Sequence, residues 1–441
     1  MMEFDEFYAK NVKFGLYHKL VLFFCVLSNI AGGTIFMILP FCVKTVQYDF
    51  MMSWTDTTLL TSSLNFGGFV GLFLISYCLE HFGRKNVLTG NALIGALLGV
   101  ALYFSTHKYI ILLYYAVMNS VNVVASSSNL IYVSETLSGK HKGKLMVLLY
   151  SGVTLGKLFG SFLIWYFLDP YQINFWKLPL FISSIIASIC FIGFLLVFVE
   201  TIAFSFHHGN VKNFYSDLTY IFKLNSERNK TRNIVLFDEI KPTKALLVDE
   251  DDHKNHKEEN MKHFVVAFKL YLLILCSLSS TICQIVAFSY AVGTDSKNLF
   301  WNIVVTFGEV VGAVIASILI DNKRIGKRRL IIGSHCIMAL TFILINVFPD
   351  GFRFVFLFIA RICVKMALST SYIYMGLAFP IHLKGRYVFR VDSFMNLSAM
   401  FLQILFFKSL NVDISYMFGL LSLYSILGSS IAYFLPSDLK H

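Results

Sequence analysis

Long apolar runs separated by short charged breaks dominate this chain. A run of roughly 18 or more apolar residues is long enough to cross a bilayer as a helix. Such runs recur at about 19–43, 58–79, 87–106, 109–134, 144–168, 178–199, 264–293, 299–320, 329–348, 354–378, 388–409 and 413–435. Twelve membrane helices are therefore predicted, the tenth and eleventh carrying internal charges. The breaks have a pattern of their own. The second run ends in Glu80-His81-Phe82-Gly83-Arg84-Lys85, and the eighth in Asp321-Asn322-Lys323-Arg324-Ile325-Gly326-Lys327-Arg328-Arg329. Each reads as a helix, an acid, a tight turn that Gly permits, and a basic cluster opening the next helix. The same device, met twice about 240 residues apart, predicts two related halves.

The positive charges fix an orientation. With a cytosolic N-terminus, 27 of the 37 Lys and Arg fall in cytosolic segments and six in outer loops, one per loop. The other four (Lys157, Lys269, Arg361, Lys365) lie within helices. Lys and Arg accumulate on the cytosolic side of membrane proteins, so the alternation supports the helix count and places both termini in the cytosol. The predicted fold is thus an all-α membrane protein of two six-helix bundles, residues 1–200 and 263–441, joined by a cytosolic loop at 201–262. The charged stretch Asp249–Glu259 inside that loop reads as a flexible linker. Asn229-Lys230-Thr231 fits a glycosylation pattern, but on the cytosolic side it is expected to be unused.

Composition agrees. The chain is 56% hydrophobic and 14% charged, with a mean hydropathy of +0.67, against roughly 45–50% apolar and 25% charged in soluble domains. A net charge of +11 raises the possibility of nucleic acid, but the bases sit in short loops between apolar segments, so none is expected. The first run is too long for a cleaved leader, and none is expected. Eight cysteines lie within apolar stretches without CxxC spacing, which suggests neither a disulfide framework nor a zinc site. No nucleophile–base pair, phosphate-binding loop or metal motif appears, and His335 reads as structural. No catalytic residue, metal or cofactor is expected. The expected partners are the lipid bilayer, in the plasma membrane or an organelle, and a small molecule, with the chain a monomer.

Several motifs together resemble the major facilitator superfamily. Glu80, Gly83, Arg84 and Lys85 match its G-x-x-x-D-R-x-G-R-K loop, with Ser76 for the first Gly and His81 for the first Arg. Tyr132-Val133-Ser134-Glu135 with Lys142-Gly143 resembles the Y-x-x-E…R-G signature of sugar porters and organic-ion carriers. Pro380 with Lys384-Gly385 echoes it in the second half. Glu200-Thr201, Phe204 and Gly209 resemble the E-S-P-R-x-x-x-x-x-G stretch, with Ile202 and Ala203 in place of Pro and Arg. Leu435-Pro436-Ser437 resembles the L-P-E ending, and Phe288–Gly293 the F-x-Y-Y-G of organic-ion and synaptic-vesicle-glycoprotein-type carriers. There are departures. Asn29 stands where many proton-coupled relatives carry an acid, and Cys276-Ser277 where hexose carriers carry paired glutamines.

Charge within a bilayer is expensive and marks function. Lys157, in Gly156-Lys157-Leu158-Phe159-Gly160 on the fifth run, lies ~20 Å from its cytosolic end. Glu309, in Gly308-Glu309-Val310-Val311-Gly312 on the eighth, lies ~17 Å from its own. The matched depths predict a mid-membrane ion pair, since the resemblance sets these two helices face to face. Arg361 and Lys365, one turn apart on the tenth run, share a face. Three mid-membrane cations against one acid favour an anionic solute, with Arg suited to gripping a carboxylate. Asn29, Asn122, Asn129, Gln284, Tyr290, Tyr372 and Asn396 complete the candidate solute-binding set, Gln403 being a further polar group on the eleventh run. Glu80, Gly83, Arg84, Lys85, Glu135, Lys142, Asp321, Gly326, Lys384 and Asp392 are the expected cytosolic gate, where the resemblance implies ion pairs that latch the inner face.

The function expected from this reading is secondary transport of a small organic solute, an anion, by alternating access. Proton-coupled or facilitative sugar transport is one alternative, and a receptor or membrane subunit that has lost transport another. Enzymatic catalysis is not expected.

Overall fold

The computed structural model describes residues 14–105, 107–137, 142–167, 176–207, 211–225, 263–278, 296–320, 322, 325–348, 350–379, 381–409 and 414–435. Each predicted run holds one helix among these residues. The first six are α1 (Leu16–Asp49), α2 (Trp54–Phe82), α3 (Arg84–Ala101), α4 (Lys108–Thr136), α5 (Lys142–Phe167) and α6 (Lys177–Val197). Two short helices follow on the cytosolic side, α7 (Ile202–His207) and α8 (Val211–Leu224). The last six are α9 (His263–Leu278), α10 (Ser296–Leu319), α11 (Gly326–Val347), α12 (Asp350–Ala378), α13 (Ile381–Ser409) and α14 (Ile414–Tyr433). Eight of these are long and apolar enough by themselves to cross a bilayer. The other four are short in their described part (α9, α14) or open with basic residues (α3, α13). A backbone in lipid must satisfy its own polar groups, which is why the described part of each crossing is helical.

Helix pairing repeats between the halves. Within the first, α2 packs on α4, α3 on α4, and α3 on α6; within the second, α10 packs on α12, α11 on α12, and α11 on α14. These are the same pairs displaced by six spans. Across the seam α2 packs on α13 and α5 on α10, and the same displacement exchanges those two contacts. The fold is thus the twelve-span, two-bundle architecture expected from the hydropathy and the repeated loop.

Two glycines explain the repeated loop. Gly83 has φ +87° and Gly326 φ +65°, a region that costs an L-residue roughly 1–2 kcal/mol. At Gly83 a Cβ would also lie 2.3 Å from Glu200 Oε2. The loop after α6 differs from the expected linker, because its first part folds. Phe214, Leu218, Ile221 and Phe222 of α8 join the buried cluster that includes Leu130 and Tyr132 of α4 and Met146 of α5. Their spacing at intervals of three and four makes α8 amphipathic, a signal that the surrounding charge obscures. The stretch Asp249–Glu259 lies outside the described residues.

Candidate functional site

Three of the charges within the spans form a cluster across the seam. Lys157 Nζ of α5 lies 3.0 Å from Glu309 Oε2 of α10, and Arg361 Nη1 of α12 lies 2.5 Å from Glu309 Oε1. All three side chains are buried. Helix packing sets this geometry. Gly156 and Gly160 let α5 approach the α1 backbone at Ile30 and Thr34, while Gly308 and Gly312 let α10 approach α12 at Phe358 and Ile362. Small residues at such spacing permit close helix contact in lipid. A lone buried charge is costly, and pairing with complete hydrogen bonding offsets that cost. Glu309 is doubly paired, whereas Arg361 Nε and Nη2 have no partner among the described residues. Asn302 of α10 donates to Ser161 Oγ of α5 at 3.4 Å, a second tie along the same seam.

Lys365, one turn beyond Arg361, points elsewhere. Its Nζ donates to the Tyr150 carbonyl of α5 at 3.2 Å and sits 4.2 Å above the Tyr150 ring. Tyr150 in turn packs on Tyr372 of α12, ring centroids 4.8 Å apart. The Tyr372 phenol lies against Asp392 of α13. Ser127 Oγ of α4 donates to Asp392 Oδ2 at 2.5 Å. Asp392, expected in the cytosolic gate, is 3% exposed, and its bond to Ser127 joins the two bundles. α13 starts at Ile381, seven residues before the apolar run, so Asp392 sits ~16 Å along the helix but only four residues into that run.

The expected solute-binding amides serve helix packing. Asn29 Nδ2 donates to the Leu149 carbonyl at 2.9 Å, and Asn129 Nδ2 donates to Asn29 Oδ1 at 2.9 Å, tying α1, α4 and α5 together. Asn122 lies against Gly32 of α1, and Asn396 against Gly68 of α2. Asn396 Nδ2 also donates to the Asp392 carbonyl at 2.8 Å. Gln284 and Tyr290 lie outside the described residues. Ser277, standing where hexose carriers have glutamine, meets His335 Nε2 at 3.1 Å inside the second bundle.

The cytosolic set is organised within the first bundle. Arg84 Nη2 lies 3.3 Å from Glu135 Oε1, Thr201 Oγ1 donates to Glu135 Oε2 at 2.7 Å, and the Arg84 guanidinium lies over the Phe204 ring at 4.5 Å. Glu200 accepts the Arg84 and Lys85 backbone N–H groups at 2.8 and 3.2 Å. A carboxylate at the N-terminus of α3 satisfies orphan donors and complements the helix dipole. Burial nonetheless pushes the Glu200 carboxyl above its usual range, against three backbone N–H groups and Arg84 that favour the ionised form. Asp321 and the side chains of Glu80 and Lys384 lie outside the described residues, and Lys142 is the first residue of α5. Ion pairs between the two repeats at this face therefore stay an expectation.

Tyr150 and Ser127 were not singled out from sequence. Tyr150 stands seven residues before Lys157, on the same helical face, and that spacing was the available signal. Ser127 sits in the run Ser126-Ser127-Ser128 and offered none.

The family model described as sugar (and other) transporter matches residues 23–368. The chain belongs to this family. The solved proton:xylose symporter XylE bound to 6-bromo-6-deoxy-D-glucose superposes with a TM-score of 0.77 at 16% identity, covering 95% of this chain and 96% of that one. A partially occluded, inward-open form of the xylose transporter XylE from E. coli gives a TM-score of 0.74 at 14% identity, covering 96% and 99%. At such identities these likenesses show the fold, that of the major facilitator superfamily. No curated protein matches the chain in sequence. The protein is a multi-pass integral membrane transporter of that superfamily, resembling its sugar porters, with the bilayer and a small-molecule substrate as its partners.

Proposed function

We propose that the protein moves a small neutral, hydroxyl-rich solute of the sugar class by alternating access, its two bundles rocking about the mid-membrane cluster. One observation carries this reading: Lys157 and Arg361 are both held by Glu309, so neither needs a solute as its partner, although the trio keeps one positive charge. Membership of the sugar (and other) transporter family supports the same class. The absent hexose-type glutamines mean that recognition rests on other groups. No nucleotide-binding motif is visible in the sequence, so concentration gradients supply the energy. Residues 1–200 and 263–441 serve as the two moving units, and the charged part of 201–262 as their tether.

A second reading has its own support. Arg361 keeps Nε and Nη2 without partners among the described residues, a fork that suits a carboxylate. Purified protein in proteoliposomes separates the two, using labelled D-xylose and D-glucose, succinate and lactate, and tetraethylammonium. Saturable uptake of a sugar is expected. Selective uptake of a carboxylate would favour the second reading, and binding without flux would make the chain a receptor.

A further inference from the structure

Asp392 is a buried carboxylate without a countercharge among the described residues. Among the described residues, its polar neighbours come from the helices packed around it. From α4 comes Ser127, from α12 Tyr372 and from α5 Tyr150. α2 offers the Phe69 carbonyl, already taken by Ser393 at 3.0 Å, and α14 has no charged residue. On its own helix Arg390 is exposed and Asn396 bonds the Asp392 backbone. The nearby cations are engaged elsewhere, Lys157 and Arg361 on Glu309 and Lys365 on Tyr150. Asp392 Oδ1 has no hydrogen-bond partner among the described residues. An ionised carboxylate held this way costs several kcal/mol, and such a group is neutralised instead. A proton neutralises such a carboxylate, buried beside Ser127 and Tyr372, without needing any space of its own.

The position of this acid gives the proton a task. Ser127 belongs to the first bundle and Asp392 to the second, so their bond exists only while the bundles meet there. On the cytosolic side of that contact the seam is filled. A Cβ on Gly376 of α12 would lie 2.8 Å from Met146 of α5, and Ala316, Ile320 and Ile373 of the second bundle join the buried cluster of the first. We infer that Asp392 is a proton-binding site whose occupation holds the cytosolic side shut. It takes up one proton as the Ser127 contact forms. When the bundles part, cytosolic water reaches the carboxylate, which ionises and releases that proton, and the charged group then resists reclosure. Uptake and release both accompany closing and opening of the cytosolic seam, so the proton biases which face is open and is not itself carried across. This rests on the rocking of the bundles proposed above, but it is tested without any solute.

Spin labels on Thr219 of α8 and Phe264 of α9, both exposed, report the cytosolic separation in the full-length protein in lipid. The separation should lengthen as pH rises, and Asp392→Asn should abolish that shift and stay short throughout. Asp392→Glu should restore a titration. Isotope-edited infrared spectra of the wild type should show a protonated acid C=O band at low pH, missing from Asp392→Asn. A pH-independent separation in the wild type, a shift that survives in Asp392→Asn, or no protonated band lost with Asp392 would each overturn the inference. A failed sugar-uptake screen with the titration intact would instead count against the proposed solute alone.

Discussion

Lys157 Nζ and Glu309 Oε2 stand 3.0 Å apart, on helices of different bundles and 152 positions apart in the chain. Glu309 is also shared with Arg361, so the three residues are not equivalent. Removing Glu309 strands two buried cations, while removing Lys157 leaves Arg361 to neutralise the acid. Breaking a buried pair costs about 3–5 kcal/mol. Glu309→Ala is therefore expected to destabilise the detergent-solubilised protein by at least that range, and Lys157→Ala by less. Denaturant titrations of both variants check the order; equal losses would mean that Arg361 does not share the acid.

The loop glycine should tolerate nothing larger. Gly83→Ala places a side chain at φ +87° and pushes on the Glu200 carboxylate. Strain at such a position is about 1–3 kcal/mol, with the displaced cap in addition. Hydrogen exchange should accelerate in the first turn of α3 and in α7, leaving the second bundle unchanged. The exchange rates in both bundles decide it.

Glu200 also sets a pH dependence of stability. Its carboxyl is held above the ordinary 4.5 by burial, so between that value and its folded value the folded state binds more protons than the unfolded one. Stability contributed by this group is present below pH 4.5 and declines as pH rises through the folded value. Glu200→Gln should flatten that part of the stability–pH curve. Unfolding measured from pH 4 to pH 7 tests the sign, and an unchanged slope in the variant would refute it.

Tyr150 anchors Lys365 through its ring as well as its carbonyl. A desolvated cation–π contact is worth roughly 2 kcal/mol. Tyr150→Phe should keep that contact and most of the stability, whereas Tyr150→Leu should lose on the order of that amount. Thermal unfolding of the pair provides the comparison.

Much of this was legible in the chain because lipid simplifies the code. Apolar length alone finds the twelve spans, since a bilayer tolerates only helices across it, and Gly83 and Gly326 mark the repeat because each turn needs a positive φ. Lys157 and Glu309 could be paired from depth, as a helix converts residue number into distance. The burial of Asp392 was not legible, because hydropathy marks the apolar part of α13 and not which of its faces meets the other bundle. The amides Asn29 and Asn129 looked like solute ligands but bond helix to helix, a choice fixed by rotation about each helix axis that composition does not reveal. The helix α8 was hidden because its apolar stripe of Phe214, Leu218, Ile221 and Phe222 is diluted by charge on its other face.

The motion of the bundles is the claim on which the transport reading depends most directly. Paired spin labels can follow both ends of the protein at once, one pair on Thr219 and Phe264 at the cytosolic end and the other on Tyr109 and Phe352 at the outer ends of α4 and α12, all four exposed. As solute is added or pH varied, one separation should shorten while the other lengthens. Two separations that stay fixed, or that change in the same direction, would contradict it.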